Sequence, residues 1–300
     1  MNVVIGTRGS KLALVQAEYV KKRLEEVYPN DTFACRIIKT KGDRIQDKAL
    51  DQIGDKGVFV REIERELLDG TIDLAVHSMK DMPGEQPEGL CFAKAWKRED
   101  PRDVLVLRKA ASLEDLPPHA VIGTGSKRRA FQLQELRPDI EIVGIRGNVD
   151  TRLEKMQKQK LDGIVLAAAG LHRLGREQLI TQYLSPRQMI PAAAQGTLAL
   201  EVRKDNKDLL DKINALADDR AQTIACTERL FLEGTKGDCH MPIGAYASVE
   251  ENGRITLLAL FQTAQDEKPK RCEVTGSTPQ ETAQKALGKL LGNGSLQGKM

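Results

Sequence analysis

The chain reads as an α/β protein: two lobes of alternating strands and helices, followed by a small α+β domain. Three observations predict this. Short apolar strands alternate with amphipathic helices in two successive blocks, the pattern of parallel sheets. An internal echo, Val4-Ile-Gly-Thr7 and Val121-Ile-Gly-Thr124, ends a strand in each block and leads through Gly, Ser and basic residues into a helix, which predicts two lobes of similar topology. From about Asp219 the pattern changes to a helix, a Gly-rich loop and consecutive strands.

Taken in order, Val3 to Ile5 is an apolar strand. Leu12, Val15, Tyr19, Leu24 and Val27 recur at helical spacing, with Ser10 placed to cap that helix. Phe33 to Thr40 reads as a strand, Val58 to Leu68 as a helix closed by Gly70, and Leu74 to His77 as a buried strand. After the apolar stretch Leu90 to Ala95, the charged run Lys97-Arg-Glu-Asp-Pro-Arg-Asp103 suits an exposed connection between lobes. The second block has strands near Val104 to Leu107, Val121 to Gly123, Ile140 to Ile145 and Gly163 to Ala167, with helices near Lys127 to Leu136 and Val149 to Gln159. The last part predicts a helix to Leu232, two strands joined at Asn252-Gly253, a third near Arg271 to Thr275, and a helix from Pro279 to Leu291. The glycine-rich tail Gly292 to Met300 reads as disordered.

Three hundred residues exceed the usual span of one core, so two or three domains are expected. No run approaches the roughly 18 apolar residues that span a bilayer, and the N-terminal residues lack the features of a signal peptide, so a cytoplasmic protein without membrane contact is expected. The five cysteines, 35, 91, 226, 239 and 272, stand far apart with no Cys-x-x-Cys, which fits reduced thiols rather than a disulfide or zinc framework. Forty-six basic residues nearly balance 43 acidic ones for a net charge of +3, and aromatics make up 4%. Neither favours nucleic acid as a partner, and a small anionic ligand is the better expectation.

In open sheets ligands bind beyond the carboxyl ends of strands, where helix N-termini offer unpaired amides. Four segments end there: Gly6-Thr-Arg-Gly-Ser10, Ser78-Met-Lys-Asp81, Gly123 to Arg129 and Arg146-Gly-Asn-Val-Asp-Thr-Arg152. They gather Arg8, Lys80, Arg128, Arg129, Arg146 and Arg152, a density of carboxylate-binding cations that solubility does not require. Singly, each arginine also reads as a solvated helix-start residue. Ser10, Thr124 and Ser126 suit helix capping as well as ligand contact. Asp81 reads either as a turn residue or as a carboxylate that steadies a cationic intermediate. Neither a Gly-x-x-x-x-Gly-Lys-Ser/Thr nor a Gly-x-Gly-x-x-Gly occurs, which removes the main support for nucleotides. Cys239 lies in Gly234-Thr-Lys-Gly-Asp-Cys-His240, where Lys236 and His240 favour a thiolate but a lone cysteine reads equally as a small buried hydrophobe, whereas Cys226 reads as helix core. No metal-ligand spacing is found. An anion-binding module without chemistry and an acyl or phosphoryl transferase are the alternatives; the second lacks a recognisable nucleophile and base.

These segments, in this order, resemble the porphobilinogen deaminases (hydroxymethylbilane synthases) from Val3 to about Gly276. The resemblance is carried by Thr7-Arg-Gly-Ser-Lys-Leu-Ala-Leu14, Lys56-Gly-Val-Phe-Val60, His77-Ser-Met-Lys-Asp-Met-Pro83, Arg98-Glu-Asp-Pro-Arg-Asp103, Arg146-Gly-Asn148 and Ala192-Ala-Ala-Gln-Gly196. It implies two periplasmic-binding-protein-like doubly wound lobes plus the α+β domain: residues 1–97 with 197–217, then 102–191, then 218–300. It implies a monomer that condenses four porphobilinogen molecules, with loss of ammonia, into linear hydroxymethylbilane for heme, siroheme or cobalamin.

By the same resemblance the primer is a dipyrromethane cofactor joined through a thioether to Cys239. Lys80, Asp81, Thr124, Ser126, Arg128 and Arg129 hold the cofactor side, while Arg8, Ser10, Gln16, Arg146, Arg152 and Arg173 serve incoming substrate or the growing chain. Asp81 is the implied catalytic group, hydrogen-bonding pyrrole N–H groups and stabilising their positive charge during attack on an azafulvene. Two positions depart from the family pattern: Gly125, where a second serine is common, and the longer loop before Cys239.

Overall fold

The computed structural model describes residues 1–40, 60–237, 241–262 and 266–292. Cys239, His240, residues 56–59 of the Lys56 motif, the predicted helix start at Val58 and the tail from 293 lie outside them. The chain forms two compact units: Met1–Glu99 with Thr197–Gln222, and Asp100–Gly196 with Thr223–Met300. No described helix is long and apolar enough to cross a membrane.

The first unit holds a five-stranded sheet of β1 (Asn2–Thr7), β2 (Thr32–Ile37), β3 (Leu74–Ser78), β4 (Leu90–Phe92) and, from the returning chain, β10 (Leu198–Arg203). Its order is β2-β1-β3-β10-β4. Helix α1 (Lys11–Val27) covers one face through Ala17, Val20 and Leu24, which pack on Val3, Val76 and Leu200. Helix α2 (Arg61–Leu68) covers the other, with Ile63 and Leu67 against Ile72, Ala75 and Leu90. Both faces are therefore dry, as a doubly wound sheet requires.

The second unit repeats the arrangement with β5 (Asp103–Leu107), β6 (Val121–Gly123), β7 (Glu141–Val143), β8 (Gly163–Ala167) and β9 (Gln182–Tyr183), in the order β7-β6-β8-β5-β9. Helix α3 (Lys127–Leu136) packs Leu133 on one face, and α4 (Val149–Lys158) packs Met156 on the other. Strand for strand the two orders correspond, so the Val-Ile-Gly-Thr echo marks equivalent strands, β1 and β6. The same unit contains the α+β part: antiparallel β11 (Gly244–Val249), β12 (Ile255–Phe261) and β13 (Lys270–Gly276). Over this sheet pack Phe231 of a long helix, Asp219–Thr235, and Ala286, Leu287 and Leu290 of a last helix, Pro279–Leu291.

Three expectations are corrected. The α/β sheets are mixed rather than parallel, because β10 runs antiparallel to β3 and β4, and β5 antiparallel to β8 and β9. Each of these strands directly follows a passage of the chain between units, and an antiparallel neighbour needs no crossover helix. On α1 the buried face is Ala13, Gln16, Ala17, Val20 and Leu24, while Tyr19 and Val27 are exposed. Small residues let this helix approach the sheet closely, and Tyr19 instead meets Trp96 edge-on at 6.5 Å. Asp103, assigned to an exposed connection, is wholly buried at the start of β5.

Candidate active site

In the first unit, the carboxyl ends of β1 and β3 build one pocket. Gly6 lies so close to the sheet that a Cβ there would come within 2.3 Å of Ile72 Cδ1, so the turn into α1 is pinned at its root. The Thr7 hydroxyl donates to the Ala13 carbonyl at 3.1 Å, and Ser10 caps α1 by accepting from Ala13 N at 3.3 Å. Gln16, buried one turn further on, donates from Nε2 to Ser78 Oγ at 3.0 Å and so ties the helix to the end of β3. There β3 becomes a single 3₁₀ turn, Met79–Asp81, held by Met79 N donating to Thr197 O. A pocket of about 90 Å³ results, with Arg8, Ser10, Gln16, His77, Ser78 and Asp81 among its walls. Asp81 is exposed, whereas Lys80 is half-buried on the same turn and does not line this pocket.

The second unit places its cations differently. At the end of β6, the buried Thr124 accepts from Ser126 N at 3.2 Å, and Ser126 caps α3 by accepting from Arg129 N at 3.4 Å. Arg128 and Arg129, each 5% exposed, turn inward onto Asp103. Arg128 Nη1 donates to Asp103 Oδ2 at 2.6 Å and to Ile190 O at 2.7 Å. Arg129 donates to Asp103 Oδ1 from Nε at 3.0 Å and Nη2 at 2.7 Å, and from Nη1 to Val165 O at 3.1 Å. Gln195 Nε2 adds a fourth donor to Asp103 at 3.0 Å. Burial alone would raise the Asp103 carboxyl, but the two guanidiniums outweigh it and hold the group well below the usual carboxylate range. Burial lowers Arg128 in turn, opposed by Asp103.

Arg146 is half-buried, and its Nη1 is buried without a hydrogen-bond partner. Arg152 donates from Nε to Gly147 O at 2.8 Å, and Arg173 from Nη2 to Gly196 O at 2.6 Å. At Gly125 a Cβ would stand 3.0 Å from Ile145 O, which gives a steric reason for glycine at the position that departs from the family pattern.

Of the expected residues, then, Arg8, Ser10, Gln16 and Asp81 share one pocket, and Thr124, Ser126, Arg128 and Arg129 share one strand-to-helix turn. The described cysteines 35, 91, 226 and 272 are unpaired thiols, each raised by burial. Sequence reasoning missed Asp103, Gln132 and Gln195. Gln132 stands six residues after Ser126 as Gln16 stands six after Ser10, so extending the echo would have found it; Asp103 at the head of an otherwise apolar strand was the signal for a buried anion. Gln132 clamps Ile190, accepting from its N at 2.8 Å and donating to its O at 3.1 Å.

A group bearing several carboxylates fits this donor set. Neither Nε nor Nη2 of Arg128 hydrogen-bonds to a described residue, and the orphaned Nη1 of Arg146 is a buried donor awaiting an acceptor.

The comparisons with known proteins define the class: an enzyme with a cofactor-binding domain. Residues 3–211 match the family model "Porphobilinogen deaminase, dipyromethane cofactor binding domain", and residues 223–296 match "Porphobilinogen deaminase, C-terminal domain". The chain belongs to the porphobilinogen deaminase family. It is 58% identical over 288 residues to the porphobilinogen deaminase of Lachnospira eligens, covering 95% of this chain and 98% of that one. To that of Clostridioides difficile it is 49% identical, covering 97% of each. Among solved structures, it is similar to the periplasmic VFT2 domain of Bordetella pertussis BvgS, with a TM-score of 0.44 and 14% identity over 72% of this chain and 86% of that one. An arginine-specific periplasmic binding protein of Salmonella typhimurium gives a TM-score of 0.39 and 18% identity, over 73% and 93%.

Proposed function

We propose that the chain condenses four porphobilinogen molecules head to tail on its primer, releasing one ammonia per condensation, and that water then cleaves the bond to the primer to free linear hydroxymethylbilane, as a monomer in the cytoplasm. The observation that carries this reading is the pocket that gathers Arg8, Ser10, Gln16 and Asp81 at the ends of two neighbouring strands. Attached at Cys239, the dipyrromethane supplies the nucleophilic α-carbon of its terminal ring for the first condensation. Around it the chain's own groups bind, orient and stabilise. Arg128, Arg129, Lys80, Thr124 and Ser126 hold its carboxylates, and Arg8, Ser10, Gln16, Arg146, Arg152 and Arg173 hold those of the substrate and growing product. Each pyrrole brings an acetate and a propionate, so the cationic demand rises with each step.

Asp81 is the reacting carboxylate: it accepts pyrrole N–H hydrogen bonds and stabilises the positive charge that develops on the ring when the C–N bond breaks. Its exposure on the 3₁₀ turn keeps it open to a ligand. The working division is residues 1–97 with 197–217, 102–191 and 218–300, the last carrying Cys239. Intact mass and Ehrlich's reagent test the reading on wild type beside Cys239→Ser. A two-pyrrole adduct that the variant loses supports it; a bare polypeptide mass from a porphobilinogen-producing host refutes it. Asp81→Asn is expected to fold and keep the adduct but lose most condensation, roughly 100-fold or more in kcat, measured as porphobilinogen consumption.

A further inference from the structure

Behind the first unit's pocket lies a group of titratable side chains that the proposed chemistry does not use. His77 lines the pocket, yet its ring is 5% exposed, and its Nε2 has no hydrogen-bond partner. The atom it faces, Glu201 Oε2 at 3.4 Å, is wholly buried and equally without one. The other oxygen of Glu201 accepts from Gln86 Nε2 at 3.2 Å. Glu64 of α2 is buried on the same side of the sheet: His77 and Glu201 belong to the β3 and β10 face that α2 covers. No three or more His, Cys, Asp or Glu among the described residues are arranged to hold a metal ion.

A buried carboxylate needs a donor. A contact between an imidazole nitrogen and a carboxylate oxygen is favourable only with one hydrogen between them. We propose that His77, Glu201 and Glu64 are positioning residues for Asp81: the hydrogen between His77 and Glu201 fixes the end of β3, from which the Ser78–Asp81 turn projects, and ionisation of Glu64 strengthens that contact. A neutral Glu64 exerts no charge on Glu201, whereas an ionised Glu64 adds a second negative charge beside Glu201 and so strengthens its hold on the hydrogen shared with His77. Burial, then the charge of Glu201, push Glu64 up to about 7 against the pull of Arg61, so the exchange falls near neutral pH. The charged and titratable groups facing it are Arg61 on α2, His77 on β3, Glu201 on β10 and the Cys91 thiol on β4, itself raised by burial and by Glu201.

This rests on the condensation reading of the pocket. The test is the pH profile of kcat for porphobilinogen consumption by cofactor-loaded wild type, Glu64→Gln and His77→Gln, with the two-pyrrole mass and circular dichroism of each recorded. Wild-type kcat is expected to rise through pH 7 with one ionisation. Glu64→Gln, permanently uncharged, is expected to keep the low-pH rate throughout. His77→Gln is expected to lose about 10- to 100-fold in kcat with KM little changed, the size of a misplaced catalytic group. A Glu64→Gln profile that still rises like wild type overturns the proposal even if His77→Gln fails to fold. If wild type itself consumes no porphobilinogen, the functional reading fails instead.

Discussion

Asp103→Asn is the most informative single substitution in the second unit. The native carboxylate receives four hydrogen bonds from Arg128, Arg129 and Gln195 with no exposure to solvent. Asparagine keeps the shape but removes the charge, and turns an N–H₂ toward one of two buried guanidiniums that then repel each other. Removing one partner of a buried ion pair costs about 3–5 kcal/mol. The carbonyls of Ile190 and Val165 still accept from the arginines, so the lower half of that range is expected. Because the arginines outweigh burial and hold Asp103 far below its ordinary 3.8, its contribution is complete above that value and fades only as pH falls through the depressed one. The deficit is therefore the same at pH 6 and pH 8. Urea unfolding followed by far-UV circular dichroism gives the size, and hydrogen exchange of β5 and β8 gives the place. A loss under about 1 kcal/mol, the scale of a surface pair, refutes the reasoning.

Glu64→Gln should change stability with the opposite pH dependence. Its carboxyl is raised from 4.5 to about 7 in the folded state, so wild-type stability falls as pH climbs through that window. The variant should unfold at higher urea than wild type at pH 8, by up to about 3 kcal/mol, with the advantage shrinking toward pH 5. Ser10→Ala removes the α1 cap and should cost about 1 kcal/mol by chemical denaturation. Gly125→Ser must move the Ile145 carbonyl, and should destabilise by about 1–3 kcal/mol on overpacking grounds while leaving the α3 cap at Ser126 intact; no measurable loss would show that this turn yields freely.

Much of the architecture was legible because local signals agreed with the tertiary outcome. The last helix starts after Thr278, whose hydroxyl accepts from Glu281 N, has proline at its first position and stops at Gly292 with φ 79, so both ends are written in the residues. Sheet direction was not legible, since an apolar strand reads alike whether its neighbour is parallel or antiparallel. The face of α1 misled because alanines and a glutamine carry little hydrophobic signal, yet they are what packs when a helix sits close to its sheet. At the site, the motifs identified which residues matter but not their partners. The Asp103 and Glu201 networks join residues from 25 to 124 positions apart, and spacing along the chain says nothing of such pairs.

Register makes a final comparison possible. Gly6 pairs with Ala75 and Leu198 with Ser78, three residues further along β3; Gly123 pairs with Ile164 and Asp103 with Ala167, three residues further along β8. Leu198 and Asp103 therefore occupy one slot in two equivalent sheets. The helices above them correspond as well, each entered through a capping serine and a lysine: Leu12 and Ala13 in one, Arg128 and Arg129 in the other. The first unit fills this place with Leu198 and Ala13, 7% and 9% exposed, and needs no charge there. Apolar groups of similar volume generally match or exceed a buried ion cluster in stability. Packing alone thus gives no reason for an aspartate and two arginines in the second sheet. Fixing two guanidiniums rigidly at a strand end, with N–H groups left over, does give one, and it supports placing the anionic cofactor's carboxylates at Arg128 and Arg129.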